Sequence, residues 1–244
     1  MTTHSLFIAL ALCLLPLPAV AEPSQKPLDL LPLSGWKEIG EWAHASAIEG
    51  SSTEKKWKSV TEGDAILYNG DPGKTTNIVS NALHGDVELV AEFMIPKSSN
   101  SGIYFMNRYE LQILDSFGKS DEEPKHGDCA GIYQRWDDTK EKKEDKGFEG
   151  TPPSTNASTA PGTWQTYKII FRAPRFDGDG NKTENARFVS VEHNGTLVHE
   201  DAEVTGPTRG GIGGKEVSSA PLKIQGDHGP IAFRKLTVTP LKLD

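Results

Sequence analysis

The chain has 244 residues, a formal net charge of −8, and 36% hydrophobic residues. This length suits one large β-sandwich or two small domains. The negative charge and the lack of any Lys/Arg stripe argue against contact with a phosphate backbone, so no nucleic-acid partner is predicted.

The N-terminal segment 1–21 has the pattern of a secretory signal peptide. Leu6–Leu17 is a short apolar run, and residues 19–21 read Ala-Val-Ala, which is an A-x-A cleavage site. The run is too short to span a membrane. The pattern predicts a periplasmic or secreted protein with no membrane span after cleavage. A retained anchor is the alternative, because no Lys or Arg precedes the apolar run.

Removal of segment 1–21 would leave Cys129 as the sole cysteine, so no intramolecular disulfide is predicted despite the exported location. We expect Cys129 to be a small buried side chain. The alternative is a catalytic thiol assisted by the nearby His126.

Short segments with strand character follow one another along the rest of the chain. After an extended, Pro-rich lead-in at 22–33, we predict strands at 64–70, 76–80, 86–95, 164–172, 186–192, 197–200, 222–225 and 231–238. Gly/Asn turns separate them, and no segment has a convincing helical period. The pattern predicts an all-β, antiparallel β-sandwich that forms one domain over 34–244.

A long irregular insert occupies residues 117–162 and is rich in Lys, Asp, Glu, Gly and Pro. Within it, 131–134 is the best candidate for a short strand. Loops of this length in compact domains are usually functional or mobile.

The most informative segment is 100–116, which reads NSGIYFMNRYELQILDS. It predicts two adjacent strands joined by a polar turn around Asn107 and Arg108. Alternation along the second strand places its apolar side chains on one face and Glu110 and Gln112 on the other. The acid and the amide then stand about 6–7 Å apart along the strand. This arrangement is typical of a sugar-binding face.

Segment 100–116 resembles the signature of a bacterial family of secreted β-sandwich proteins labelled 3-keto-disaccharide hydrolase-like. The resemblance extends over most of the chain after the signal peptide. It implies a concanavalin A-like jelly roll whose concave sheet carries the site, and a saccharide or glycoside as the substrate.

Glu110 is a catalytic candidate, although its strand departs from the glucanase pattern. Retaining glucanases of this fold use an E-x-D-x-E strand, whose two carboxylates stand about 5–5.5 Å apart. Here the strand reads Glu110-x-Gln112-x-Leu114, so it lacks that pair. Glu110 could act as a single base or acid, and the alternative is a structural Glu–Arg pair.

His228 is the second catalytic candidate. The segment Gln225–Pro230 resembles the closing segment of the family, and it places His228 in a Gly/Pro turn. Histidine suits proton transfer near neutral pH. Alternation points Gln225 away from the core, which makes it a candidate for substrate binding. A turn histidine that holds a backbone carbonyl is the alternative.

Five further side chains are candidates for substrate binding, each with a structural alternative. Asp115 could bind hydroxyls or cap a loop, and Arg108 could pair with Glu110. His126 could line the cleft or lie on a solvated loop. Trp136 could stack on a sugar ring or lie in the core. Arg234 could hold an oxyanion or form a salt bridge to Glu110 or Asp115.

No metal or cofactor is predicted with certainty, but a divalent metal, calcium or another, stays open. The segment 177–181 reads DGDGN, like the front of a calcium loop. Its glycine comes two places early, and Phe188 stands where an EF-hand has glutamate. We therefore interpret it as a hairpin turn.

These observations lead to three hypotheses. The first is an exported enzyme that cleaves 3-keto-glycosides by single-base elimination and hydration. Either Glu110 or His228 is the base and the other the acid, while Gln112 and Arg234 hold the oxygen that gains charge. The second is a non-catalytic carbohydrate-binding module on the same sandwich, since fold does not decide function. The third, an endo-glucanase, is disfavoured by the missing carboxylate pair.

Overall fold

The computed structural model describes residues 26–244, which form two main antiparallel β-sheets packed around a shared core. The predicted signal peptide lies outside the described residues. The strands, in chain order, are β1 Leu28–Asp29, β2 Trp36–Lys37, β3 Ala43–Gly50, β4 Trp57–Tyr68, β5 Ile78–His84, β6 Val87–Met94, β7 Asn100–Phe105, β8 Tyr109–Leu114, β9 Arg135–Trp136, β10 Gly147–Phe148, β11 Trp164–Arg172, β12 Arg175–Phe176, β13 Lys182–Glu184, β14 Ala186–His193, β15 Thr196–Val204, β16 Ala220–Ile224 and β17 Ala232–Pro240.

The eight-stranded sheet has the order β15-β14-β11-β6-β17-β4-β3, with β1 added alongside β17. The five-stranded sheet has the order β2-β5-β16-β7-β8. The pairs β9–β10 and β12–β13 form two small sheets of their own. A 3₁₀ turn at Leu33–Gly35 and a short helix, α1, at Lys143–Lys146 complete the described structure. The predicted all-β antiparallel sandwich is confirmed.

Alternating side chains from the two sheets fill the space between them. Phe105 of the five-stranded sheet stacks on Phe171 of the eight-stranded sheet with 4.8 Å between ring centroids, and Phe188 packs against both rings. Phe93 packs on Tyr167 at 4.7 Å. All five rings are fully buried. Burying such large apolar areas is the main stabilising contribution to a sandwich of this type.

The predicted hairpin at 100–116 is formed by β7 and β8, with Gly102 opposite Gln112 and Tyr104 opposite Glu110. Its turn contains two successive residues with left-handed backbone, Met106 and Asn107, each with φ of 54°. Two such residues match the right-handed twist of the flanking strands, as in a type I′ turn.

The insert 117–162 covers the free edge of β8. The backbone N–H of Ala130 donates to the Gln112 carbonyl, and the backbone N–H of Gln112 donates to the Gly131 carbonyl. Ile132 bridges Leu111 on one side and Thr151 on the other. The strand predicted at 131–134 is therefore shorter than expected, because only Ile132 has strand pairing on both of its sides.

The N-terminal lead-in is part of the sandwich rather than a separate arm. Leu28 and Asp29 pair with Val238 and Thr237 of β17. Leu30 is buried, and its carbonyl accepts a hydrogen bond of 2.6 Å from the Trp36 indole. Within residues 26–244, no helix is long and apolar enough to cross a membrane.

Cys129 is fully buried, as the sequence predicted, and its Sγ lies 3.1 Å from the Tyr167 hydroxyl. Burial raises the pKa of the thiol, which favours the unreactive protonated form.

Asn69, just after β4, clamps the loop that leads into β17. Its Nδ2 donates to the carbonyls of Gly226 and Gly229 at 3.0 and 2.8 Å, and its Oδ1 accepts from the Ile231 amide at 2.9 Å. The side chain is fully buried, so water cannot replace these partners. The clamp fixes the segment that carries His228.

We predict that Asn69→Ala lowers the free energy of unfolding by about 2–4 kcal/mol, because it leaves buried backbone groups unpaired. Urea denaturation of purified protein measures the change. The matched control is Asn81→Ala, because exposed Asn81 makes a single side-chain bond, to the Ser34 carbonyl. Equal losses in the two variants would contradict the clamp.

Candidate active site

A polar cavity of about 300 Å³ lies on the face of the five-stranded sheet that points away from the core. We call it the cleft. Strands β7 and β8 supply part of its wall, and loops supply the rest. Its lining residues are Asn100, Tyr104, Glu110, Gln112, Tyr133, Arg209, Gly210, Gln225 and His228.

Glu110 supplies the carboxyl group of the cleft, and its pKa is strongly shifted. Only 2% of the residue is exposed, and this burial raises its pKa to about 8. A hydrogen bond from Tyr104 and the charge of Lys223 lower the pKa in part, while the charge of Asp227 raises it. At neutral pH the group is therefore mostly protonated, as a general acid requires.

Gly102 makes the position of Glu110 possible. A Cβ atom on Gly102 would lie 2.3 Å from Glu110 Oε1 and 3.0 Å from its Cδ and Cγ. The carboxyl group therefore packs directly over the bare backbone of β7. This contact gives a physical reason for the glycine in the NSGIY segment.

Lys223 of β16 places a cation beside this carboxyl group. Its Nζ donates to the Gly210 carbonyl at 2.6 Å and lies 3.7 Å from the centre of the Tyr104 ring. Burial lowers the pKa of Lys223, and the charges of Glu110 and Asp227 raise it. The ammonium group is thus held in one position, next to a site where negative charge can develop.

His228 lies in the loop clamped by Asn69. Its Nδ1 is 2.6 Å from Asp227 Oδ1, and Lys55 donates to its carbonyl at 2.6 Å. Because a carboxylate can only accept, we assign the proton to Nδ1. In the neutral imidazole with this tautomer, Nε2 is the nitrogen that accepts a proton, and Asp227 orients the ring.

Two amide side chains of the cleft have unused hydrogen-bonding capacity. Asn100 Oδ1 and Gln225 Oε1 are buried, and within residues 26–244 neither has a hydrogen-bond partner. Buried polar atoms rarely stay unpaired, so such atoms in a cleft indicate a polar ligand. Gln112 uses its Oε1 to accept from the Ile113 amide at 3.2 Å, which leaves its Nε2 free to donate to a ligand.

The cleft brings together four of the predicted site residues: Glu110, Gln112, Gln225 and His228. Their common feature is that alternation or a turn directs them away from the apolar core. The remaining five predicted residues do not line the cleft.

Arg108 and Asp115 hold the two ends of β8. Arg108 is buried and donates to the carbonyls of Met106 and Lys215 at 3.1 and 3.0 Å. Asp115 accepts from the Ser98 amide at 2.8 Å and pairs with Lys97 at 3.1 Å. Both side chains fix backbone segments, in place of the substrate contacts predicted for them.

His126 and Trp136 lie close to the cleft, outside its lining. The His126 ring packs edge-on against Tyr133 at 5.6 Å, and burial lowers its pKa. Trp136 lines a second cavity of about 640 Å³, which shares Arg209 with the cleft.

Arg234 lies on β17 of the eight-stranded sheet. It donates to Glu92 at 2.6 Å, and its guanidinium lies 4.7 Å from the centre of the Trp164 ring. It therefore forms a salt bridge, but with Glu92 in place of the expected Glu110 or Asp115.

Several cleft residues were not predicted. Strand register could have identified Tyr104, because it lies opposite Glu110 across the hairpin. Tyr133 and Arg209 come from loops, and no periodicity in the sequence points to them.

No three His, Cys, Asp or Glu side chains within residues 26–244 are grouped closely enough to hold a metal ion. In the DGDGN segment, Asp177 Oδ1 accepts from the Asp179 and Asn181 amides at 3.0 and 2.8 Å. The Asp177 carboxylate therefore closes a turn, as its interpretation as a hairpin predicted.

Solved structures share this fold. A protein from Parabacteroides distasonis ATCC 8503, provisionally named a glycosyl hydrolase, is 22% identical, with a TM-score of 0.62 and coverage of 93% of each chain. A second such protein from that organism is 16% identical, with a TM-score of 0.54; the match covers 88% of this chain and all of the other. No curated protein sequence matches the chain.

The match to a carbohydrate-active family, together with this fold, defines the chain as a carbohydrate-active, hydrolase-like domain. The sequence profile of the 3-keto-alpha-glucoside-1,2-lyase-like domain matches residues 32–239. The chain therefore belongs to this family, which confirms the resemblance noted from the hairpin segment.

The raised pKa of Glu110 predicts a specific dependence of stability on pH. Because its folded pKa, about 8, lies above its ordinary value of 4.5, its neutral form favours the folded state. That contribution is complete below pH 4.5 and is lost as the pH rises through about 8.

We therefore expect Glu110→Gln to gain roughly 2–4 kcal/mol of stability relative to wild type between pH 5 and pH 9. Urea denaturation at both pH values measures the difference. Exposed Glu62 supplies the control Glu62→Gln, which should follow wild type at each pH. A constant offset between Glu110→Gln and wild type would contradict the assigned burial of this carboxyl group.

Proposed function

We propose that this protein cleaves 3-keto-glycosides by elimination across C1 and C2, with His228 as the base and Glu110 as the acid. The observation that carries the proposal is the pairing of two different titratable groups in one cleft. One is a buried carboxyl group that is protonated at neutral pH, and the other is an oriented imidazole. The description of the family as lyase-like supports the same chemistry.

A ketone at C3 acidifies the proton on C2, so a single base can remove it. The electrons of the C2–H bond form the C1=C2 double bond, and the C1–O bond to the leaving group breaks. The acid donates a proton to the departing oxygen. Addition of water to the unsaturated sugar then completes a net hydrolysis. The route needs one base and one acid, and it needs no carboxylate nucleophile.

His228 is suited to the first step. Its Nε2 is the free nitrogen, and the contact of 2.6 Å with Asp227 stabilises the imidazolium that forms when C2 loses its proton. The same contact restricts rotation of the ring.

Glu110 is suited to the second step, because its raised pKa keeps it protonated at neutral pH. When it gives up the proton, the new carboxylate is stabilised by the Tyr104 hydroxyl and by the charge of Lys223. These two contacts offset part of the cost of forming a buried carboxylate.

We propose that the side-chain amide of Gln112 donates a hydrogen bond to the ketone oxygen. Its Nε2 has no other use in the described structure, and the residue lies two positions from Glu110 on the same face of β8. Arg234, considered for this role from the sequence, is bound to Glu92 on the other sheet and has no part in the proposal.

A double displacement, as in retaining glucanases, is not favoured by this arrangement. Gln112 and Leu114 occupy the strand positions at which a second carboxylate would stand. Asp227 is the carboxylate whose charge acts on Glu110, but its Oδ1 is already bound to His228, so it is not placed as a nucleophile.

Sugar binding without catalysis is the second candidate. The unpaired amide oxygens of Asn100 and Gln225 would bind hydroxyl groups equally well in a carbohydrate-binding module. The two functions differ in turnover alone, so a product assay separates them. In either case we propose an exported location, on the basis of the apolar run and A-x-A site at the N terminus.

The test is aglycone release from a 3-keto-glucoside by the purified protein, with the unoxidised glucoside as the substrate control. We expect release from the keto substrate alone, because the control lacks an acidified C2 proton. Deuterium at C2 should slow the reaction. Binding of the keto sugar without release would support the binding module, and loss of activity with EDTA would add a metal to the site.

Substitutions at Glu110 and His228 test the proposed acid and the proposed base separately. Glu110→Gln and His228→Ala should each lower kcat by about 100-fold or more, a typical contribution of general acid–base groups. Wild-type activity should fall as the pH rises through about 8, where Glu110 loses its proton. Glu62→Gln serves as the control. Unchanged turnover in either cleft variant would refute its assigned role.

A further inference from the structure

The proposed elimination creates negative charge in the cleft when C2 loses its proton. Because the ketone is at C3, this charge rests mainly on the C3 oxygen, as an enolate, until the C1–O bond breaks. Gln112 offers that oxygen a neutral amide donor, whereas a hydrogen bond from a charged donor is roughly twice as strong. A free cation beside the oxygen would therefore lower the barrier to proton removal further.

Arg209 can supply this cation. Of the residues that line the cleft in the described part of the chain, it alone has a guanidinium or ammonium group. That guanidinium forms no hydrogen bond or ion pair with any residue between 26 and 244, so its N–H groups are available to a ligand. Lys223, by contrast, already donates to the Gly210 carbonyl at 2.6 Å.

The backbone that carries Arg209 is tied to the strand that carries Glu110. The preceding residue, Thr208, is buried, and its hydroxyl oxygen accepts a hydrogen bond of 3.0 Å from the backbone N–H of Glu110. The same hydroxyl donates to the Arg108 carbonyl at 2.9 Å, and the backbone N–H of Arg209 donates to the Gln134 carbonyl at 2.8 Å. The starting point of the Arg209 side chain is thus fixed relative to the proposed acid.

Trp136 fixes the other end of this side chain. The guanidinium of Arg209 lies 3.8 Å from the centre of the indole ring. The indole is itself held, because its N–H donates to Asp138 Oδ1 at 3.0 Å and the Trp136 backbone pairs with Gly147. Stacking occupies a face of the guanidinium and leaves its N–H groups, which lie in its plane, free to donate. A long, flexible side chain is therefore already ordered before a ligand arrives.

We propose that Arg209 is a catalytic residue that donates to the C3 oxygen and stabilises the enolate, and that Trp136 positions it. The inference rests on the proposed function. His228 Nε2 takes the C2 proton, the electron pair of the C2–H bond forms a C2=C3 double bond, and the C3 oxygen receives the charge. When the C1–O bond breaks, that pair forms C1=C2, the C3 carbonyl is restored, and Glu110 protonates the departing oxygen.

A keto sugar without a leaving group isolates the first half of this sequence. The 3-keto derivative of anhydroglucitol has hydrogen at C1 in place of the glycosidic oxygen, so it can lose and regain the C2 proton but cannot release an aglycone. The His228 side chain is exposed, so in deuterated water its captured proton is replaced by deuterium. Proton NMR then follows the loss of the C2 signal.

We expect Arg209→Gln to lower kcat for this exchange by about tenfold or more, because the lost donor acts on developing charge. KM should change by less than about threefold, since the contact strengthens only as the enolate forms. Arg209→Lys keeps the charge without the planar fork and should recover part of the rate. The guanidinium has no bond within residues 26–244, so the urea midpoint of Arg209→Gln should match that of wild type.

The positioning role of Trp136 has its own test. Trp136→Ala should lower kcat for exchange by about threefold, in line with an exposed cation–π contact, and Trp136→Phe should restore most of the rate. In the Arg209→Gln background, Trp136→Ala should have no further effect, because no guanidinium is left to position. A merely structural role of Trp136 would lower the rate equally in both backgrounds.

A second Arg–Trp stack supplies the matched control. Arg234 lies over Trp164 at 4.7 Å on the eight-stranded sheet, outside the lining of the cleft. Arg234→Gln should therefore keep the wild-type rate of exchange.

The outcomes separate the inference from the proposed function. Exchange by wild type that Arg209→Gln leaves unchanged, or a rise in KM alone, would overturn the role of Arg209 and keep the function. Aglycone release from the keto-glucoside with no exchange on the analogue would indicate a concerted elimination, and would likewise overturn the enolate contact alone. Wild type that neither exchanges deuterium nor releases aglycone would remove the proposed function and the inference together.

Discussion

The burial of one carboxyl group, that of Glu110, is the constraint on which the site depends. A carboxyl group removed from water destabilises the fold whenever it ionises, unless neighbouring groups compensate. Two neighbouring strands provide part of that compensation: β7 gives space at Gly102 and a hydroxyl at Tyr104, and β16 gives the Lys223 ammonium group. The strand register cannot change, because a slip of one residue would turn Glu110 into the apolar core.

The other half of the site depends on the opposite sheet. Asn69 follows β4 of the eight-stranded sheet, and its three side-chain bonds hold the loop that carries His228. The two titratable groups thus reach one cleft from separately anchored segments. Their relative position is set by how the two sheets pack, so core packing and chemistry are linked in this fold.

Alternation in the sequence was enough to predict the sandwich, the β7–β8 hairpin and the placement of Glu110 and Gln112 on the face of β8 away from the core. It could not assign Arg234 to one of the two sheets, because an outward-facing polar residue on the last strand gives the same sequence pattern in either sheet. Strand order, which arises from long-range pairing, decides between them. Arg209 was missed for a related reason: it lies in an irregular loop that is positioned by backbone bonds to distant residues.

The insert that pairs with β8 has a consequence for solubility. An unpaired edge strand presents a row of free amide and carbonyl groups, on which another chain can add a strand and begin aggregation. Strand β8, with its run of buried apolar residues, would be such an edge. Residues 130–132 satisfy part of its backbone, and Ile132 is paired with Thr151 in turn. Shortening this insert would therefore expose an unpaired strand edge beside the cleft, on which a strand of another chain could add.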